Sequence, residues 1–307
     1  MWFSNLQLYR LTKPFELSAE ALAEQLNDHA FRPCASLDLF TYGWVPPMGA
    51  YGTELIHAAN GHILVCARKE EKILPAAVVR EFVAEKVNEI QDTQGRPVRR
   101  KERDEIKDNV IHELLPKAFT RSTRTFAYIS PAEKFVVVNA TSAAKAEELL
   151  SYLRGSLGSL GVVPVSTRQA PTQVMTHWLV EQEAPAGFEV ADECELREKG
   201  EDGSIIRCKR QDLASDEIKV HLDAGKLVTK LAIDWQEQLS CILNDDLSIK
   251  RLRFGEELLE KSKEVDADDV AAAFDNDFTL MTLELSRFIP RLIEVFGGEN
   301  ETVGFGE

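Results

Sequence analysis

Residues 59–75 read Ala-Asn-Gly-His-Ile-Leu-Val-Cys-Ala-Arg-Lys-Glu-Glu-Lys-Ile-Leu-Pro, and within this span the chain changes its periodicity. The run HILVCARK at 62–69 is bounded by glycine and rich in branched apolar residues, which predicts a strand. Pro75 suits the first turn of a helix, and Val78, Val79, Phe82, Val83, Val87 and Ile90 follow it at helical spacing. Gly95 and Pro97 break that helix. A second helix follows with Ile106, Val110, Ile111, Leu114 and Leu115 on one face, as far as Pro116. Strand-like composition returns at 122–129 and 134–139, so a helical hairpin over 75–118 is inserted between strands.

Upstream, Phe3, Leu6, Leu8 and Leu11 mark a strand, Ser18 caps a helix carrying Leu22 and Leu26, and 37–45 reads as a further strand. The segment Gly43-Trp-Val-Pro-Pro-Met-Gly49 is a rigid turn. Downstream, Ser142 caps a helix with Ala146, Leu149, Leu150 and Leu153 inward and Gly155 just past its end. A helix near 171–181, strands at 187–196 and 203–209, a short helix at 215–224 and strands at 226–235, 238–243 and 248–254 come next. An acidic linker then leads into a long helix from Asp269 to Phe296, with a kink expected at Pro290. This order is neither a strict βαβ repeat nor all-β, and predicts the α+β class. It divides into an N-terminal unit (1–74 with 119–160), the inserted hairpin at 75–118, and a C-terminal unit (161–307). Gly61-His-Ile-Leu-Val-Cys-Ala-Arg68 is similar to Gly203-Ser-Ile-Ile-Arg-Cys-Lys-Arg210 at a constant offset. Duplication of one unit and chance likeness of short strands both explain it.

A hydrophobic fraction of 44% with 28% charged residues fits an ordinary globular chain, and no run of about 18 apolar residues suggests a membrane span. The five cysteines (Cys34, Cys66, Cys194, Cys208, Cys241) are scattered and form no CxxC pair. A disulfide framework or zinc site is not indicated, and a reducing cytoplasm is the natural setting. The net charge of −15 argues against a nucleic-acid partner until its distribution is seen. Residues 255–307 hold 14 acidic and 4 basic side chains, so −10 of the total lies there.

No chemistry-bearing motif is present. Gly225-Lys226 lacks the other members of a phosphate loop, and the glycines at 155, 158 and 161 follow a helix instead of opening one. His57 and His62 fall in a turn and at a strand start. Asp266, Asp268 and Asp269 lack the glycine and glutamate of a calcium loop and read as a helix N-terminus. No catalytic residue, metal or cofactor is expected, and the chain reads as a non-enzyme.

The cations cluster. Arg96, Arg99, Arg100, Lys101 and Arg103 crowd the hairpin turn, with Arg121 and Arg124 beyond it. Arg68, Lys69 and Lys72 end one strand; Arg207, Lys209 and Arg210 end another; Lys226, Lys230, Lys250, Arg251 and Arg253 lie on the last strands. Such groups on one surface give salt-sensitive binding to duplex phosphate without reading of sequence. Local pairing with acidic neighbours, as in Arg68-Lys-Glu-Glu-Lys72, is the alternative.

The blocks GWVPPMG (43–49), 59–75 as quoted, LLPKAF (114–119), KAEELLSYLRGSLGSLGVVP (145–164), GKLVTKLAIDWQEQ (225–238) and SIKRLRF (248–254) resemble the RdgC family of bacterial recombination-associated proteins. Gly161, where that family often has proline, is a departure confined to a turn. The resemblance implies a homodimer that closes into a ring around double-stranded DNA. It implies restraint of RecA-promoted recombination by occupying the DNA, in the cytoplasm and on the nucleoid. Arg210, Gln211 and Lys226 best match the positions implied to line the hole; Lys209, Arg68, Lys69, Arg96, Arg99 and Arg100 are further candidates for DNA contact. If their strands are neighbours, Arg210, Gln211 and Lys226 converge on one rim. Phe119, an aromatic in a polar stretch at the mouth of the hairpin, is the expected dimer contact, with packing against its own hairpin as the alternative. Direct protein contact with RecA is the alternative mode of action.

Overall fold

The computed structural model describes residues 1–200, 202–264 and 269–300. The Ser18 hydroxyl accepts a hydrogen bond from the Ala21 amide and opens α1 (Ala19–Asn27), which follows strand β1 (Leu6–Leu11). Then come β2 (Phe40–Trp44), β3 (Ile56–Ala59) and β4 (His62–Lys72). Pro75 opens α2 (Ala76–Gln94), and Gly95, at φ 64°, takes the left-handed conformation that ends it. The hairpin is completed by α3 (Arg100–Leu114), and its helices share a small core of Val79, Val83, Ile106 and Val110. After it, β5 (Thr120–Ser130) and β6 (Phe135–Asn139) lead to α4 (Ala143–Leu157) and the short β7 (Val162–Pro164).

The C-terminal part holds α5 (Pro171–Glu181), β8 (Phe188–Arg197), β9 (Ile205–Lys209), α6 (Asp216–Asp223), β10 (Leu227–Trp235), β11 (Leu239–Asn244) and β12 (Ile249–Phe254). It ends with α7 (Glu256–Lys263) and α8 (Val270–Val295). The class is α+β, as the sequence predicts. Among the described residues, no helix is long and apolar enough to cross a membrane.

Several local expectations need correction. The segment expected to be an acidic linker contains α7, whose Leu258 is buried in the main core. Gly155 lies inside α4, and the helix stops at Gly158, whose φ is 74°. His57 belongs to β3, not to a turn. Asp269 does cap a helix, as expected: it accepts from the Ala272 amide at the start of α8, whereas Asp266 and Asp268 fall outside the described residues. The long final helix contains Pro290, as the sequence predicts.

All the strands form one antiparallel sheet in the order β2-β4-β5-β6-β1-β12-β11-β10-β8-β9. β3 and β7 lie off that path, on β4 and β1. The seam between its halves is narrow: β1 meets β12 at Leu6↔Ile249, and the rest of that edge of β1 pairs with β7. Helix α8 braces the seam, burying Phe278, Met281, Leu285 and Phe288 in a core that includes Leu6 and Tyr128 of the first half and Leu231 and Trp235 of the second. In the first half the opposite face is also covered. There Leu22 and Leu26 of α1 and Leu149, Leu150 and Leu153 of α4 pack on Tyr9, Val65, Ile129 and Val138. The Ser142 hydroxyl accepts from the Lys145 amide at the start of α4. Ser142→Ala is expected to destabilise the protein by about 1 kcal/mol, measured by denaturant unfolding.

The strands that look alike in sequence occupy different places. β4 lies between β2/β3 and β5, whereas among the described residues β9 is the sheet edge and pairs only with β8. The constant sequence offset therefore does not superimpose equivalent strands.

Candidate nucleic-acid interface

In β8 to β12, alternate side chains enter the main core: Cys194, Leu196, Leu231, Ile233, Cys241 and Leu252. Because a strand alternates its faces, the residues between them point the other way. On that face lie Glu193, Glu195, Arg207, Lys209 and Lys230, around a shallow cavity whose floor includes Ile242. Helices α5, α6 and α8 all pack on the core side, and none of the apolar residues beneath α1 and α4 comes from these strands. Among the described residues, the second half of the sheet thus has one bare face.

One contact spans it. The Arg251 guanidinium on β12 reaches across β11 and β10 to the Glu193 carboxylate on β8, at 2.5 Å. A covering helix would block that path. Arg251 sits at φ 49°, beside a register shift in the β11–β12 pairing, and this local irregularity re-aims its side chain. Glu195 is held at 2.7 Å by Arg207 and 2.9 Å by Lys230, and Lys209 approaches Glu193 at 3.8 Å.

The cations stand proud of the carboxylates. The side chains of Arg207, Lys209 and Arg251 are 66%, 65% and 52% exposed, against 11% for Glu195 and 24% for Glu193. Burial alone would raise the Glu195 pKa, but hydrogen bonds from Arg207 and Lys230 outweigh it and hold the carboxyl below the ordinary glutamate range. The Arg251 hydrogen bond lowers Glu193 likewise. Both glutamates stay ionised and position the cations, whose outer N–H groups remain open to solvent. An extended anion such as a phosphate chain fits this surface, because arginine and lysine contacts position a backbone without reading bases. The notable residues missed by sequence reasoning are Glu193 and Glu195. The alternation Glu-Cys-Glu-Leu-Arg at 193–197, charged on one face and apolar on the other, was the signal for them.

The expected convergence of Arg210, Gln211 and Lys226 does not occur. β8 separates β9 from β10, so their strands are not neighbours. Lys226 lies just before β10, and its ammonium reaches over to the start of β9, where it donates to Ser204 and sits 3.8 Å from Glu198. Its side chain is only 12% exposed. Arg210 lies past the opposite end of β9, six residues from Ser204, which at about 3.3 Å per residue is roughly 20 Å away. Arg210 is exposed, has φ 53°, and makes no salt bridge among the described residues. Gln211 is half-buried and donates to Ser215 at 3.4 Å and Glu217 at 3.3 Å.

Elsewhere, Arg68 and Lys69 point to opposite faces of β4. Arg68 pairs with Glu70 at 2.9 Å beneath the Phe31 ring, and Lys69 with Glu148 at 2.5 Å. In the hairpin turn Arg96 is held by Glu102 at 2.6 Å, whereas Arg99 and Arg100 are exposed and without a salt bridge among the described residues. The hairpin turn and the bare sheet face are therefore separate basic surfaces. Phe119 is 83% exposed. Its carbonyl accepts from the Ile73 amide, and the Leu39 carbonyl accepts from Lys72, so exposed Leu39, Phe40 and Ile73 gather near it.

Known proteins bear on this geometry. A family model described as "RdgC: Putative exonuclease, RdgC" matches residues 1–299. The chain belongs to the RdgC family. It is 54% identical over 303 residues to the "Recombination-associated protein RdgC" of Aeromonas hydrophila, covering 99% of this chain and 100% of that one. The RdgC proteins of Tolumonas auensis and Yersinia enterocolitica are 50% and 48% identical over 299 residues, covering 97% of this chain and 99% of each of theirs. The family model speaks of an exonuclease and the RdgC relatives of recombination. Among the described residues, no group of three or more His, Cys, Asp or Glu is placed to hold a metal ion.

Proposed function

We propose that this chain binds double-stranded DNA through its phosphates, without reading base sequence, as a homodimer that closes into a ring. In this reading it restrains RecA-promoted recombination by occupying the DNA, on the nucleoid. The observation that carries the reading is the bare face of β8 to β12, where Arg207, Lys209, Lys230 and Arg251 extend beyond Glu193 and Glu195. The recombination link comes from the names of its relatives. The test is purified protein with naked duplex and no RecA. Log affinity is expected to fall linearly with log salt, unrelated duplexes to compete equally, and the DNA to be recovered intact. Binding only in the presence of RecA would favour direct protein contact instead, and shortened DNA would favour the exonuclease named in the family description.

A ring needs two separate contact surfaces on each subunit. The apolar patch of Phe119, Leu39, Phe40 and Ile73 at the foot of the hairpin supports one of them. Phe119→Ala is expected to weaken dimer closure and retention on DNA while leaving the melting temperature within about 1 °C, since an 83% exposed ring contributes little to the fold of one subunit. Unchanged light scattering and retention would remove Phe119 from the interface.

A further inference from the structure

Two of the five cysteines face each other. Cys194 on β8 and Cys208 on the edge strand β9 are direct register partners, so their side chains stand side by side on one face of the ladder. Opposed residues in an antiparallel pair have Cα atoms roughly 4.5–5.5 Å apart, inside the ~4.4–6.8 Å span that a disulfide bridges. Closing the remaining gap between the Cβ atoms takes only about 1 Å. β9 can supply that movement because it pairs on one side only. Cys194 is buried, and Cys208 is half-buried at the margin of the main core, where a small oxidant reaches it first. The other thiols are placed differently. Cys66 and Cys241 are buried on other strands, and Cys34 donates to the Glu70 carbonyl at 3.3 Å.

We propose that Cys194 and Cys208 are a modification site, oxidised by a peroxide to a disulfide that clamps the edge strand β9 to β8. The Cys208 thiolate attacks one peroxide oxygen and the O–O bond breaks, which gives a sulfenic acid and, after protonation, water. The Cys194 sulfur then attacks the Cys208 sulfur. The S–S bond forms, the S–O bond breaks, and the Cys194 proton leaves with hydroxide as a second water. Two thiols lose two electrons and two protons, and the peroxide takes up both. Burial, and then the facing Cys208, raise the Cys194 thiol to about 12, so Cys194 serves as the resolving partner and not as the first nucleophile. A thiol-disulfide exchange with reductant reverses the bond.

The consequence falls on β9, which carries Arg207 and Lys209 and leads into Arg210. The crosslink itself does not rest on the DNA reading. The test treats the full-length folded protein with hydrogen peroxide, alkylates the remaining thiols and maps the peptides. Two of the five thiols are expected to disappear and one peptide pair to be joined through Cys194 and Cys208, reversibly with dithiothreitol. Amides of β9 are expected to exchange with solvent about tenfold more slowly in the oxidised form. In Cys194→Ser, a sulfenic acid should persist on Cys208 and be captured by dimedone; in Cys208→Ser, Cys194 should remain a thiol. Survival of both thiols in the folded protein, or a map that joins other cysteines, would overturn the proposal. The wild-type peptide map decides this even if a cysteine variant fails to fold.

Discussion

Replacing Arg207, Lys230 and Arg251 together by alanine is expected to flatten the dependence of log DNA affinity on log salt by about three units, one for each lost phosphate contact. Binding to unrelated duplexes should weaken alike, because contacts of this kind carry no sequence information. The effect is large because the sheet face changes sign. With the three cations gone, Glu193 and Glu195 remain and repel phosphate. Glu195→Gln provides the opposite arm. It removes the carboxylate that holds both Arg207 and Lys230, so affinity at low salt should rise and the slope steepen by about one unit. Both glutamates have lowered pKa values, so the stability they contribute is present above the ordinary glutamate value of 4.5 and is lost as pH falls through their folded values. Over the same acid range, affinity for DNA should increase as the repulsion is titrated away. An unchanged slope in the triple variant, with a lowered melting temperature, would make this face structural and leave Arg99 and Arg100 in the hairpin turn as the surface to examine.

Phe288→Ala is expected to be the most damaging single truncation for stability. The ring is fully buried, tilted against Trp235 at 5.3 Å and Phe188 at 6.3 Å, and Phe188 in turn meets Trp178 at 5.8 Å. It thereby joins α8 to β8, β10 and α5 at once. A cavity of this size in a core that cannot collapse costs about 3–5 kcal/mol. At roughly 2–4 °C per kcal/mol, the melting temperature should fall on the order of 10 °C. Leu283→Ala on the same helix is the control: Leu283 is 47% exposed, and its truncation should stay within ~0.5 kcal/mol. Equal losses in the two variants, measured by calorimetry, would show that α8 does not brace the sheet through its inner face.

Much of this was legible locally. The Ser18 and Ser142 caps, the Gly95 stop, the hairpin of α2 and α3, and the span of α5 follow from signals confined to a few neighbouring residues. The acidic composition that suggested a linker before α8 concealed α7, because Glu256 and Glu257 favour a helix N-terminus as readily as a solvated loop. β3 was missed because it is four residues long, too short to show a period.

By itself, then, the sequence determined most of the elements, the α+β class and the clustering of cations, since periods of 2 and 3.6 and the end caps are written in adjacent residues. Only the tertiary structure decided which cations share a surface. Strand order depends on where the chain returns after each crossover, and β8 lies between β9 and β10 although all three are close in sequence; this parts Lys226 from Arg210. Sidedness is equally nonlocal. α5, α6 and α8 all settle on one face of β8 to β12, which leaves the other bare and lets Arg251 reach Glu193 across two intervening strands. No periodicity encodes that choice, because it is made by the summed burial of helices that lie far apart along the chain.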